Sequence, residues 1–265
     1  MSQSNKRIST ASKQQLEARS PQRIQFFSTP PETCSYLPNR LSINAVADPH
    51  LPMTTALYSQ LASNGFRRSG NHLYRPNCGT CQACIPVRLP VARFTPSRNQ
   101  RRCERANQDL QVREQPPFFR REYFDLYARY QRERHPGGGM DMPTPDGFMR
   151  FLTCEWSETR FVEMRLNGDL IAVAVSDQLD HGLSAVYTFF SPDFPKRSLG
   201  TFAVIWQIRQ AAALGLDYVY LGYWIEACRK MRYKREFRPL EALQGRHWVS
   251  LDELGGAADA YTSAA

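Results

Sequence analysis

The second half of the chain constrains the fold most tightly. Three strand-like runs, Thr159 to Leu166, Asp169 to Leu179 and Leu183 to Ser191, are separated only by Asn167-Gly168 and Asp180-His181-Gly182. Asn-Gly accepts the positive φ angles of a two-residue hairpin, and the second turn is of the same polar, glycine-ended kind, so the runs read as an antiparallel meander. A Lys196 to Thr201 loop, a helix to Leu214 and a strand at Tyr218 to Leu221 follow. The expected architecture is α+β, a mixed sheet flanked by helices.

Composition sets the outer limits. A chain of 265 residues with 42% hydrophobic residues can bury a substantial core, in one large domain or two small interlocked ones, which excludes disorder for most of its length. No run approaches the roughly 20 consecutive apolar residues that cross a bilayer. Met1 to Ser20 is polar and lacks the apolar core of a secretory signal, so a soluble, cytoplasmic protein is expected. Lys and Arg outnumber Asp and Glu by 34 to 25, and the net charge of +9 favours an anionic partner such as nucleic acid. Residues 1–22 read as a flexible basic tail, 23–115 as an N-terminal α/β subdomain carrying a Cys cluster, 116–250 as a C-terminal domain opening at Pro116-Pro117, and 251–265 as a second tail.

Within the first half, Arg23 to Ser28 reads as a strand, Met53 to Asn64 as a helix stopped by Gly65, and Phe66 to Arg75 and Ile85 to Phe94 as strands. Ser97 is the expected N-cap of a basic helix with Arg98, Arg101, Arg102 and Arg105. Phe118 to Arg134 and Asp146 to Cys154 read as helices around a flexible His135 to Pro145 stretch.

The chemistry-bearing residues cluster. Cys78, Cys81 and Cys84 are each separated by two residues, a spacing that lets neighbouring thiolates point into one small volume, and Cys34 is the candidate fourth ligand. A zinc or iron–sulfur centre is one reading; reduced thiols beside a basic groove are the other. Cys103, Cys154 and Cys228 read as small hydrophobes. Guanidinium groups concentrate in Gly65-Phe66-Arg67-Arg68-Ser69-Gly70 and in Pro96 to Arg102, where forked donors suit phosphate or carboxylate. Pro195 to Thr201 precedes a helix, so backbone N–H groups, the positive helix end and Arg197 can face one anion. Leu221-Gly222-Tyr223-Trp224-Ile225-Glu226 runs into the basic, aromatic segment Cys228 to Arg235, suited to stacking on a base and holding phosphates, or to packing Trp224 on the core.

Several separated motifs occur in a telling order: Tyr74-Arg75-Pro76, Ile85-Pro86-Val87-Arg88, Phe94-x-Pro96-Ser97-Arg98-x-Gln100-Arg101-Arg102, Arg197-Ser198-Leu199-Gly200-Thr201, Tyr220-Leu221-Gly222-Tyr223 and Lys230-Met231-Arg232-Tyr233-Lys234. Over about residues 24 to 250 the chain closely resembles the arginyl-tRNA–protein transferase family, and its compact form resembles the bacterial branch that uses leucine. The resemblance implies an acetyltransferase-like (GNAT-related) fold in which RNA takes the place of coenzyme A. It implies transfer of leucine from leucyl-tRNA to acceptors beginning with Asp or Glu, marking them for degradation through the N-degron route, with no required cofactor and no membrane partner. Eukaryotic relatives carry a Cys-x-x-Cys near the start where this chain has Cys34-Ser35-Tyr36-Leu37.

The aminoacyl ester is already activated, so positioning carries most of the catalysis. Glu226 is the candidate base, and the Tyr187 hydroxyl or backbone N–H groups of Leu221 to Tyr223 are candidate oxyanion donors. Arg197, Ser198, Gly200, Thr201, Tyr223, Arg232 and Lys234 are expected to hold the aminoacyl-tRNA, and Arg88, Arg98 and Lys230 the acidic N-terminus. An arginine donor would want a carboxylate, for which Asp177, Asp193 and Glu163 are candidates; leucine would want none. A CoA-dependent N-acetyltransferase and a non-catalytic RNA-binding module are the competing classes.

Overall fold

The computed structural model describes residues 24–134 and 142–254. The expected N-terminal tail, residues 255–265 of the C-terminal tail and residues 135–141 of the flexible stretch lie outside the described residues. The first part of the chain forms β1 (Phe26–Ser28), β2 (Glu32–Thr33), β3 (Leu41–Ser42), β4 (Asn44–Ala47), α1 (Thr55–Ser63), β5 (Arg67–Ser69) and β6 (His72–Pro76). Thr54 caps α1 by accepting from the Leu57 N–H at 3.2 Å. The chain leaves α1 through Gly65 at φ +84°, where a Cβ would stand 2.8 Å from Pro86. Phe66 to Arg75, read as one strand, is a hairpin of β5 and β6, because Gly70 takes φ +56° and reverses the chain. With β1 and β4 it forms a four-stranded antiparallel sheet in the order β1-β4-β6-β5.

Next come β7 (Ile85–Pro90), α2 (Arg98–Ala106), β8 (Gln111–Gln115), α3 (Arg121–Arg134), α4 (Pro145–Leu152), β9 (Glu158–Leu166), β10 (Asp169–Leu179) and β11 (Gly182–Phe190). The chain finishes with α5 (Leu199–Ala213), β12 (Tyr218–Trp224), β13 (Glu241–Gln244), β14 (His247–Ser250) and α6 (Leu251–Leu254). The expected meander is present, with Asn167 and Gly168 at φ +51° and +95° joining β9 to β10. Ser97 caps α2 in a capping box with Gln100, each side chain bonding the other's backbone N–H.

The main sheet has eight strands in the order β14-β13-β7-β12-β11-β10-β9-β8. Residues 23–115 thus supply an interior strand, β7, and an edge strand, β8. Along β10 the side chains alternate: Ala172 and Ala174 pack with Leu199 and Ala203 of α5, while Val173 and Val175 pack with Tyr123, Tyr127 and Phe148 of α3 and α4. This is the mixed sheet flanked by helices expected from the sequence. Among the described residues no helix is long and apolar enough to cross a membrane.

One break in the sheet positions everything that follows. β11 and β12 run parallel, while the other neighbours are antiparallel. Their pairing covers only Gly182–Tyr218, Leu183–Val219 and Ser184–Tyr220; beyond these the two strands diverge. A bulge at Val175/Ser176 between β10 and β11, and another at Tyr220/Gly222 between β12 and β7, break the regular ladder on both sides of this divergence.

Candidate active site between the splayed strands

A splay leaves backbone groups without a neighbouring strand, and here two cations fill the gap. Arg67, at the start of β5, donates from Nη1 to Ser184 Oγ at 3.1 Å and to the Tyr220 carbonyl at 3.4 Å, and from Nη2 to the Ala185 carbonyl. It therefore pins β11 and β12 at the fork. Gly222 takes φ +79°, and a Cβ there would stand 3.1 Å from Arg67 Nε. Further along β12, Lys234 Nζ donates to the Tyr223 carbonyl at 2.5 Å and touches Met231 Sδ at 3.4 Å. Pro86 lies opposite Tyr223 in β7 and has no N–H to offer that carbonyl.

The electrostatics follow from burial. Lys234 is pulled down to about 7, first by desolvation and then by the Arg67 guanidinium, while Cys228 opposes the shift. Burial pushes the hydroxyls of Tyr74 and Tyr223 up, and Arg67 pulls each partly back. The Tyr223 hydroxyl donates to the carbonyls of Gly65 at 2.9 Å and Tyr74 at 3.2 Å, which ties the N-terminal sheet to the end of β12. Among the described residues neither Arg67 nor Lys234 forms an ion pair.

A cavity of about 550 Å³ lies beside the fork, between the four-stranded sheet and the end of β12. Cys34, Cys78, Cys81 and Cys84 all line it, together with Tyr36, Tyr74 and Tyr223. The Cys84 thiol is pushed up to about 12 by burial and then by Cys78, Cys34 and Cys81. Arg40 donates to Cys81 Sγ at 3.2 Å and the Ile43 N–H approaches Cys78 Sγ at 3.5 Å. Among the described residues no group of three or more His, Cys, Asp or Glu is arranged to hold a metal ion.

The other expected site residues are distributed around this centre. Tyr187 accepts from Gln131 at 3.1 Å and packs on Tyr127, Tyr130 and Phe151; burial raises its hydroxyl well above the ordinary tyrosine range. Glu226 is exposed just past β12 and lies 3.6 Å from Arg235, and its carbonyl accepts from Arg232. Arg197 is held by both oxygens of Asp109 at 2.7 Å and by the Ala106 carbonyl. Ser198 takes a left-handed conformation before α5, Gly200 sits where a Cβ would meet Phe190 at 3.1 Å, and the Thr201 N–H bonds Ser198. Arg88 is bonded to Glu241 at 2.8 Å and stacked on Tyr218 and Trp248. Arg98 and Lys230 are exposed.

The three carboxylates considered for an arginine pocket are already engaged. Asp177 is buried and bonded by Arg68 on both oxygens, with Tyr58 and Thr159 completing its shell. Glu163 bonds Arg120, Arg165 and Tyr123, and Asp193 bonds Arg129. Arg67 is legible in the sequence only as one of several guanidinium groups. The signal that singles it out is its place in a short strand between two glycines of positive φ, Gly65 and Gly70.

A model of the N terminus of arginine-tRNA-protein transferase matches residues 32–102, and one of the C terminus matches residues 122–244. The chain belongs to the arginine-tRNA-protein transferase family. A relative named aspartate/glutamate leucyltransferase in Pseudomonas fluorescens (strain Pf0-1) is 51% identical over 230 residues, covering 87% of this chain and 98% of that one. A relative of the same name in Pseudomonas aeruginosa (strain LESB58) is 51% identical, covering 86% and 97%. Among solved structures, the C-terminal domain of a putative lysylphosphatidylglycerol synthetase from Agrobacterium fabrum is similar at a TM-score of 0.46 and 15% identity, covering 77% of this chain and 68% of that one.

Proposed function

We propose that this protein transfers leucine from leucyl-tRNA to the α-amino group of proteins beginning with Asp or Glu. The observation that carries the reading is the 51% identity to aspartate/glutamate leucyltransferases along nearly their whole length. The charge at the fork agrees with it: Arg67 is a cation, Lys234 is an amine that a nearby carboxylate would hold charged, and Asp177, Glu163 and Asp193 are bound to arginines elsewhere, so the site suits an apolar donor side chain and an acidic acceptor. The acceptor nitrogen attacks the ester carbonyl, an oxyanion forms, and the bond to the ribose oxygen breaks as that oxygen takes up a proton. Uncommitted strand edges of Leu221 to Tyr223 are suited to donate to the oxyanion, in the manner of an acetyltransferase-like site. Tyr187 remains a candidate oxyanion donor and Glu226 the candidate base.

The tRNA is proposed to lie across the exposed Arg98, Arg101, Arg102 and Arg105 of α2, Arg232 beyond β12, and the Arg197 to Thr201 turn at the start of α5. Gln100 of α2 bonds the Glu236 carbonyl, which joins the first two of these surfaces. With Arg197 neutralised by Asp109 and the Thr201 N–H bonded to Ser198, the backbone N–H groups of Leu199 and Gly200 are left as its anion donors. The four thiols share one cavity but are not arranged to hold a metal ion, so a zinc or iron–sulfur centre would have to draw them together; metal analysis of anaerobically purified protein tests this, and a metal-free active sample would support reduced thiols. The products are proposed to be marked for degradation in the cytoplasm.

The test of the function is parallel transfer of labelled leucine and labelled arginine from charged tRNA to peptides beginning with Asp, Glu, Lys or Ala. Leucine reaching only the Asp and Glu peptides is the expected result. Arginine reaching them instead would move the chain to the sister activity, and transfer of neither would remove the proposal.

A further inference from the structure

At the fork a half-buried guanidinium, Arg67, and a buried amine, Lys234, stand without a carboxylate partner among the described residues. Arg67 spends its Nη groups on Ser184, Tyr220 and Ala185, but no hydrogen bond reaches its Nε among the described residues. Gly222 passes over the face of the guanidinium, where a Cβ would stand 3.1 Å from Nε and 3.2 Å from Cζ, and the Nε–H in the plane of the group is left without a partner among the described residues. Nε and Nη2 form the edge with which arginine grips a carboxylate side-on, as the neighbouring Arg68 does with Asp177 at 2.6 and 2.8 Å. Lys234 is close enough for Arg67 to disfavour its charged form, and its ammonium meets only a carbonyl and a thioether. An anion entering here would take the unpartnered Nε–H and the second hydrogen of Nη2, and would favour the charged form of Lys234.

We infer that Arg67 and Lys234 together form the receptor for the side-chain carboxylate of the acceptor's first residue, a role that rests on the leucyl-transfer reading. The carboxylate of Asp or Glu lies one or two methylene groups from the carbon bearing the α-amine. Gripping it at the fork therefore delivers the nucleophile to the uncommitted strand edges that receive the ester. A backbone phosphate of tRNA is the competing anion. The fork suits it less, because Lys234 is only 6% exposed and the arginines of α2 offer an open surface.

The experiment compares kcat/KM for leucine transfer to peptides identical except for a first residue of Asp, Glu, Asn or Gln, using the full chain and its Lys234→Met and Arg67→Lys variants. Methionine fills the place of a desolvated amine without a charge, and thermal unfolding of both variants checks that they are folded. Lys234→Met is expected to lower transfer to Asp and Glu peptides about 10- to 100-fold more than transfer to Asn and Gln peptides, the scale of one charge-assisted hydrogen bond, without raising the KM for leucyl-tRNA. Direct calorimetric binding of the Asp peptide is expected to weaken in parallel, and Arg67→Lys to lose the same discrimination. An equal loss on Asp and Asn peptides would place Lys234 in proton transfer or folding and overturn the inference. A raised KM for leucyl-tRNA with the Asp-to-Asn ratio intact would give the site to phosphate and also overturn it. Transfer by the unaltered chain to none of the peptides would instead remove the leucyl-transfer reading, and this role with it.

Discussion

Arg67 and Arg68 are neighbours in the chain with opposite fates, because successive strand residues point to opposite sides. Arg68 is sealed in the core on Asp177, with Leu152, Tyr58 and Thr159 completing the polar network. Breaking a buried pair from one side strands the other charge, so Arg68→Met is expected to cost about 3–5 kcal/mol in denaturant unfolding. A loss under about 1 kcal/mol would mean that the pair is not sealed. Lys234 carries a different signature. Its ordinary value is near 10.5 in the unfolded chain and about 7 in the fold, so the unfolded chain binds more protons between these values and the stability Lys234 allows rises with pH across that window. The difference in unfolding free energy between the unaltered chain and Lys234→Met should climb from pH 7 to pH 10 and be flat below pH 7; parallel curves would contradict the depressed value. Neither fate is readable from the run Phe66-Arg67-Arg68-Ser69, which gives alternation but not the partner on each face. By sequence Lys234 is expected to hold tRNA simply as one of several basic residues.

At the scale of elements, the Ser97 cap and the Asn167-Gly168 turn are legible, and both are present. Thr54 and Thr144 also cap their helices, although the sequence reading starts the first helix at Met53 and leaves Thr144 in a flexible stretch. What depends on distant partners is not legible. β13 and β14 are four residues each and show no long alternation, and β7 gives no hint in its own sequence that it will lie between β12 and β13. The fork itself rests on a bulge at Gly222, a residue whose φ of +79° disfavours any side chain. Gly222→Ala combines that strain with an approach of 3.1 Å to Arg67, so a stability loss of about 1 kcal/mol or more is expected in thermal or denaturant unfolding. It should also reduce transfer to Asp peptides with little change in tRNA affinity. Unaltered stability and rate would show that the guanidinium does not lie over this residue.

For the molecule as a whole, a net charge of +9 draws any polyanion, and only the layout of that charge distinguishes a binding face from a solvated one. Arg101 and Arg102 are exposed on α2, away from the Asp177 core. If they meet phosphates, Arg101→Gln combined with Arg102→Gln should weaken tRNA binding and flatten the log–log dependence of affinity on salt by about 1 for each phosphate no longer neutralised. An unchanged slope would move the RNA to another face. The central claim is transfer itself, and its most direct measurement is mass-spectrometric sequencing of a peptide beginning with Asp and containing an internal Lys, after incubation with leucyl-tRNA and this protein. One added leucine, joined by an amide to the α-nitrogen of the Asp, is the expected product. An unmodified peptide, or leucine found on the lysine side chain, would contradict the claim.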